Sequence, residues 1–217
     1  LSISVIGLTY YGTNVGNFLV TIERQSIANL TLSEKADFSG SVALLQAKGL
    51  KDVTHATLYN EDLTPAHIPA NIDEIGEGSH NDEENFRYFA YTFYLKNVSN
   101  FAFDYRVQIS IKEVSRNVDS AVRVMVIRNG ERVIYAKPQE IGETAGQPET
   151  NNGLYQVENF TDSKTVCSFK IDAFESMAVD KYTVVMWLEG WDPQCGDHIK
   201  GGTLRMEMKF FALYDPS

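Results

Sequence analysis

Phe103, Tyr105, Val107, Ile109 and Ile111 alternate without a break with Asp104, Arg106, Gln108, Ser110 and Lys112. Successive side chains of an extended chain point to opposite faces, so this run has one apolar face and one wet face. A period of 2 is the mark of an antiparallel sheet that is solvated on one side. The same alternation returns near the C-terminus, where Leu204, Met206, Met208 and Phe210 alternate with Thr203, Arg205, Glu207 and Lys209. Two runs are apolar on both faces. One is 182–189, read as a central strand. The other is 86–95, with Phe89, Tyr91, Phe93 and Leu95 on one face and Tyr88, Ala90, Thr92 and Tyr94 on the other.

A hairpin is predicted within 121–137. Asn129-Gly130 joins two apolar runs, and both residues tolerate the positive φ of a type I′ turn. That turn pairs Val126 with Val133 and Val124 with Tyr135. Further strands are predicted at 17–22, 41–46, 53–59 and 166–171. Short turns of helix are predicted at 116–121 and 173–178. The 11 Tyr and 12 Phe, against 6 Pro, suit pleated, half-buried surfaces. The expected fold is all-β, a jelly-roll-like antiparallel β-sandwich with long loops and one or two short helices. Two long polar connections stand out, 61–85 and 138–153, and loops of that length are usually functional or mobile.

The net charge of -10 disfavours nucleic acid, whose phosphates need clustered Lys and Arg. No apolar stretch approaches the ~18 residues of a membrane-spanning helix. A chain that begins at Leu1 rather than Met has lost a leader or been trimmed there; the first favours export.

Catalytic motifs are missing. There is no HExxH pair, GxSxG elbow, phosphate-binding glycine loop or CxxC spacing, and the chain is read as non-enzymatic. His55, His67, His80 and His198 are read as lone histidines. Asp73, Glu74, Glu77, Asp82, Glu83 and Glu84 form an acidic loop; they offer oxygen ligands to calcium, or are simply solvated. No other cofactor is expected. Cys167 and Cys195 are two buried thiols or, in an oxidising compartment, a disulfide adding about 3–4 kcal/mol. Asn29, Asn97 and Asn159 each open an Asn-X-Ser/Thr triplet.

At the N-terminus, Leu1, Ile3 and Val5 alternate with Ser2 and Ser4, and Ile6, Gly7 and Leu8 follow. A short, uncharged, β-prone end either closes its own sheet or fills an open edge in a neighbouring molecule. Residues 1–15 are therefore set apart as an extended segment, and 16–217 as a single domain.

Three stretches resemble the TasA/camelysin-like family of exported Gram-positive surface and biofilm-fibre proteins. They are Thr9-Tyr10-Tyr11-Gly12-Thr13-Asn14 leading to Gly16-Asn17-Phe18; Phe89-Ala90-Tyr91-Thr92-Phe93-Tyr94-Leu95-Lys96-Asn97; and Trp187-Leu188-Glu189-Gly190-Trp191-Asp192-Pro193-Gln194-Cys195 with Gly201-Gly202. The resemblance implies a secreted jelly-roll protein, extracellular or on the cell surface. It implies assembly with copies of itself into a head-to-tail polymer, the N-terminal strand of one subunit completing the sheet of the next. That donor role falls on Leu1 to Leu8. The acidic loop and the cysteine pair lie outside the family's pattern, and no zinc motif accompanies them. The competing expectation is a monomeric surface module that binds carbohydrate or another ligand, with Trp191 as an anchor.

Overall fold

The computed structural model describes residues 8–9, 18–58, 67–138 and 157–214, and of residues 8 and 9 the backbone only. These residues form fourteen strands: β1 (Leu8–Thr9), β2 (Phe18–Ile22), β3 (Leu30–Ser33), β4 (Leu44–Gln46), β5 (His55–Ala56), β6 (Gly78–Ser79), β7 (Tyr88–Asn97), β8 (Phe103–Val114), β9 (Val122–Arg128), β10 (Glu131–Ala136), β11 (Val157–Asn159), β12 (Thr165–Phe174), β13 (Val179–Glu189) and β14 (Thr203–Leu213). They assemble into two sheets. The first runs β12-β8-β14-β2-β4, with β1 also on β14. The second runs β11-β10-β9-β13-β7-β3, with β5 on β13 and β6 on β7.

The alternating runs do what their period requires. Phe103, Tyr105, Val107, Ile109 and Ile111 of β8, with Leu204, Met206, Met208 and Phe210 of β14, point into the space between the sheets and are buried. Phe89, Tyr91, Phe93 and Leu95 of β7 and Tyr182, Val184, Met186 and Leu188 of β13 meet them from the other side. Burial of each such side chain contributes about 1.5–3 kcal/mol. Rings bridge the layers: Tyr182 stacks on Phe93 at 5.7 Å and meets Phe210 edge-on at 5.3 Å. The predicted β-sandwich is therefore the fold. Pairing is mostly antiparallel, but β2 with β14, β10 with β11 and β5 with β13 are parallel.

The run 182–189 is central, flanked by β9 and β7. Its second apolar face has a separate partner. Val185 and Trp187 join Ala90, Met125, Ile127 and Ile134 in a smaller cluster on the outer face of the second sheet. Ile68 and Ile72 close over it. The described part of the long acidic connection is thus a packed cover, anchored by β6 and by an ion pair of Asp73 with Arg132 at 2.6 Å.

The hairpin has the expected register, Val126 opposite Val133 and Val124 opposite Tyr135. Asn129 and Gly130 have φ of 51° and 89°, as the type I′ turn demands. The helical turn expected in 116–121 is a 3-10 turn at Val118–Ser120. The one expected in 173–178 does not form. That stretch is the end of β12, with Ala173 at φ 51°, followed by a tight turn. Asn97 explains the difference. Its Nδ2 donates to the carbonyls of Phe101, Phe174 and Glu175 at 2.9, 2.9 and 3.0 Å, and the last two fix this stretch as a tight turn in which Glu175 also accepts from the Ala178 N–H. Its Oδ1 accepts from the N–H and hydroxyl of Ser99. The strands missed in the sequence are short: β3, β6 and β11.

One buried amide therefore ties the β7–β8 turn to the β12–β13 turn. Each buried backbone group left without a partner costs about 1–3 kcal/mol. Asn97→Ala is expected to lower stability by about 3 kcal/mol in urea denaturation. A loss below about 1 kcal/mol would mean the turns are held by other contacts.

Candidate functional site

β12 is an edge strand, with β8 as its one strand neighbour among the described residues. Facing it across the sandwich is the β9–β10 hairpin. Cys167, Phe169 and Ile171 of β12 share the inward parity, but only Cys167 is buried. Phe169, Ile171 and Tyr135 remain half-buried, packed against the core on one side only. A cleft of about 220 Å³ opens between them, lined also by Val126 and Val133, with Arg128 and Glu131 at its mouth. Pairing of β12 with β8 is regular from Cys167 to Ile171 and shifts register on either side. The free edge is thus five residues long, bounded by bulges, and Lys170 stands on it in ion pairs with Asp104 and Asp172. Bulges and lysines are how natural sheets limit promiscuous pairing at an edge.

A buried polar network fixes one wall of the mouth. The Asp180 carboxylate accepts from the Tyr105 hydroxyl, from Asn129 Nδ2 at 2.6 Å and from Arg128 Nη1 at 3.3 Å. The Tyr105 and Tyr182 hydroxyls lie 2.6 Å apart. Asn129 Oδ1 accepts from the Lys181 N–H at 2.8 Å, which locks the hairpin tip onto β13. Burial, then the neighbouring Tyr182 and Asp180, push the Tyr105 hydroxyl far above the ordinary tyrosine range. It stays a donor at any physiological pH. Burial, then the neighbouring Cys167 and Glu158, push the Tyr135 hydroxyl on the cleft wall above the ordinary tyrosine range.

Other residues singled out in the sequence lie elsewhere. Leu1 to Gly7 lie outside the described residues. Leu8 pairs with Leu204 and Thr9 with Thr203, on the flank of β14 that β2 occupies from Met206 onward. Both cysteines are free thiols. Cys167 is on β12, and Cys195 lies in the loop after β13. The acidic residues have structural uses: Glu77 accepts from Tyr94 and Ala36, Asp82 from Asn85, and Glu83 pairs with Lys48. Among the described residues no three His, Cys, Asp or Glu are gathered as a metal ion would need. No described helix is long and apolar enough to cross a membrane. Asn97 of the second glycosylation triplet is buried, its amide consumed as described. Trp191 is exposed, and Trp187 buried, donating to Glu189 at 3.0 Å. Arg123, Glu189 and Asp192 form a buried charged group beside them, with Arg123 to Asp192 at 2.9 Å.

The cleft itself was not anticipated. The alternation of Cys167, Phe169 and Ile171 with Ser168, Lys170 and Asp172 was the available signal, but periodicity does not say which inward face lacks a partner.

No family model matches the chain, and no curated protein matches it. Among solved structures, a β-glucosidase from Kluyveromyces marxianus in complex with glucose shows 15% identity over 63% of this chain, with a TM-score of 0.28. The match spans 12% of that protein's chain. A likeness this slight carries no argument about fold or activity.

Burial pushes the Cys167 thiol up to about 12 and the Cys195 thiol up to about 11, the latter helped by Asp192 and Glu189. Both are neutral at pH 8, and the thiolate is the reactive form. Iodoacetamide at that pH is expected to label neither at the rate of a free thiol, and Cys167 only after unfolding; rapid native labelling of Cys167, read by mass spectrometry, would contradict this. His67 and His80 lie below the ordinary 6.5, burial being the main cause for both. The unfolded chain takes up these protons first as pH falls. Their contribution to stability is therefore full above about 6.5 and declines below it. The urea midpoint is expected to fall between pH 7.5 and 5.5, and to fall less in His80→Gln.

Proposed function

We propose that the chain is a structural subunit of an extracellular filament, of a biofilm matrix or cell surface, assembled by N-terminal strand donation. Residues 1–7 of one copy lie along the free edge of β12 in the next, while Leu8 stays paired with Leu204 of its own β14. Main-chain hydrogen bonds supply affinity, and Leu1, Ile3 and Val5 set the register.

The observation that carries this reading is the half-buried row of Phe169 and Ile171 on a five-residue regular edge, above an apolar cleft. Three alternating apolar side chains suit a window of that length. The flank of β14 reached by Leu8 is taken up by β2 from Met206 onward, so β14 offers no longer edge to the preceding residues. Strand order supports a head-to-tail arrangement. β1 sits at the end of the sandwich marked by Thr203 and Leu204, whereas the cleft opens toward the opposite end, marked by Arg128 and Glu131. A contact between opposite ends does not close on itself and therefore propagates. In this reading the chain is secreted, performs no catalysis and needs no cofactor.

Deleting residues 1–7 is expected to abolish filaments in negative-stain images and leave soluble monomers. A synthetic peptide of residues 1–9 is expected to cap the growing ends of the full chain. Unchanged fibres after the deletion would rule strand donation out. A full chain that stays monomeric at every concentration, yet binds a small ligand in the cleft, would favour a ligand-binding surface module instead.

A further inference from the structure

The cover on the outer face of the second sheet holds two of the four histidines, His67 near its start and His80 directly after β6. Both are built in as neutral rings. His67 Nδ1 accepts from the Thr57 N–H at 3.1 Å, just beyond β5, so that nitrogen must keep its lone pair. His80 Nε2 lies 2.9 Å from the Thr92 hydroxyl, which in turn lies 2.7 Å from that of Thr183. Its Nδ1 is buried and has no hydrogen-bond partner among the described residues. The ring is also clamped by the cover's main chain: a Cβ placed on Gly76 would stand 2.8 Å from it.

Protonation turns both nitrogens of an imidazole into donors. At His67 it sets one N–H against that of Thr57. At His80 it buries a cationic N–H without an acceptor, which costs far more than a neutral nitrogen in the same place. The groups facing the rings do not relieve this. Lys181 of β13 meets His80 with a like charge. Glu34, beside Gly78, accepts from the Tyr91 hydroxyl at 2.6 Å, and Glu77 from the Tyr94 hydroxyl and the Ala36 N–H at 3.0 Å; neither reaches His80 Nδ1. Arg87 and His55 oppose a charge on His67, while Asp82 favours it. Two ion pairs further along the cover, Asp73 with Arg132 and Glu83 with Lys48, involve neither ring. His55 and His198 are exposed and carry no such constraint.

We propose that the cover is a proton-operated latch: in mildly acidic surroundings His67 and His80 take up protons, the stretch between them lifts, and the apolar patch of Met125, Ile127, Ile134, Val185 and Trp187 is uncovered. Histidine protonation against a packed element is a common basis of pH sensing. The latch is independent of the filament reading. Linkage gives its direction. The closed cover holds both rings below 6.5, burial being the first cause in each, and a lifted cover returns them to water. Lifting therefore takes up protons and is favoured as pH falls through about 6.5. Between pH 7.5 and 5.5 the opening constant rises by up to about tenfold for each ring, and up to about 100-fold for both.

The test is hydrogen exchange of the full chain at pH 7.5 and 5.5, read by mass spectrometry and corrected for the intrinsic pH dependence of amide exchange. The amides of Thr57, Ile72 and His80, which donate to His67, Pro69 and Ala90, report on the cover; those of β8 and β14 report on the core. Cover protection is expected to fall by about tenfold to 100-fold at the lower pH, with cover amides exchanging at least about tenfold faster than those of β8. In the double variant His67→Gln and His80→Gln, whose side chains do not titrate, the pH response of the cover disappears. If that variant has already lost cover protection at pH 7.5, the single variants decide, each keeping about half of the response on a logarithmic scale. Equal cover protection in the parent chain at the two pH values overturns the latch. A cover that exchanges only in step with β8 and β14 overturns it as well, because the event is then global unfolding. A full pH response in the variants assigns the protons to other groups and overturns it too.

Discussion

The two sheets meet through a column of aromatic rings, and the rest of the structure is arranged around it. Phe93 and Tyr182 from the second sheet press on Phe210 and Tyr105 from the first, with Phe174 4.9 Å from Tyr105 at the end of the column. Rings of this size supply much of the area a sandwich must remove from water. They also bring two hydroxyls into the interior, and a buried hydroxyl needs partners. Asp180 supplies them, and its own charge is then held by Arg128 and Asn129. Packing the rings thus dictates a buried carboxylate, and the carboxylate dictates how the hairpin tip sits on β13.

The ends and edges follow from the same requirement. At one end, Asn97 gathers carbonyls from two turns, so the loops there are short and fixed, and the side chains they present are exposed aromatic and aliphatic groups rather than mobile polar ones. At the edge, β12 is bent by bulges on both sides of a short regular stretch. Its inner face therefore continues the core but is not fully covered by it. Among the described residues that surface has a regular edge with a strand on one side only and apolar side chains that are half-buried. Other buried or partly buried carboxylates are held in ion pairs: Asp73 with Arg132, Asp119 with Lys137, Asp192 with Arg123.

What the sequence determined by itself was local. Alternation at Phe103 to Ile111 and at Leu204 to Phe210 specified strands and their buried faces, because side-chain direction in an extended chain has no freedom beyond a period of 2. Asn129-Gly130 specified a turn and, through it, the register of a whole hairpin. Apolar residues on both faces of β13 specified a central strand. Tertiary structure decided everything that depends on which neighbour arrives. It made β2 parallel to β14, took the Phe174 and Glu175 carbonyls for Asn97, laid Ile68 and Ile72 over the second sheet and left Phe169 and Ile171 half-buried. Those outcomes turn on contacts between residues tens of positions apart, and a one-dimensional pattern records the face a side chain points to but not what stands opposite it.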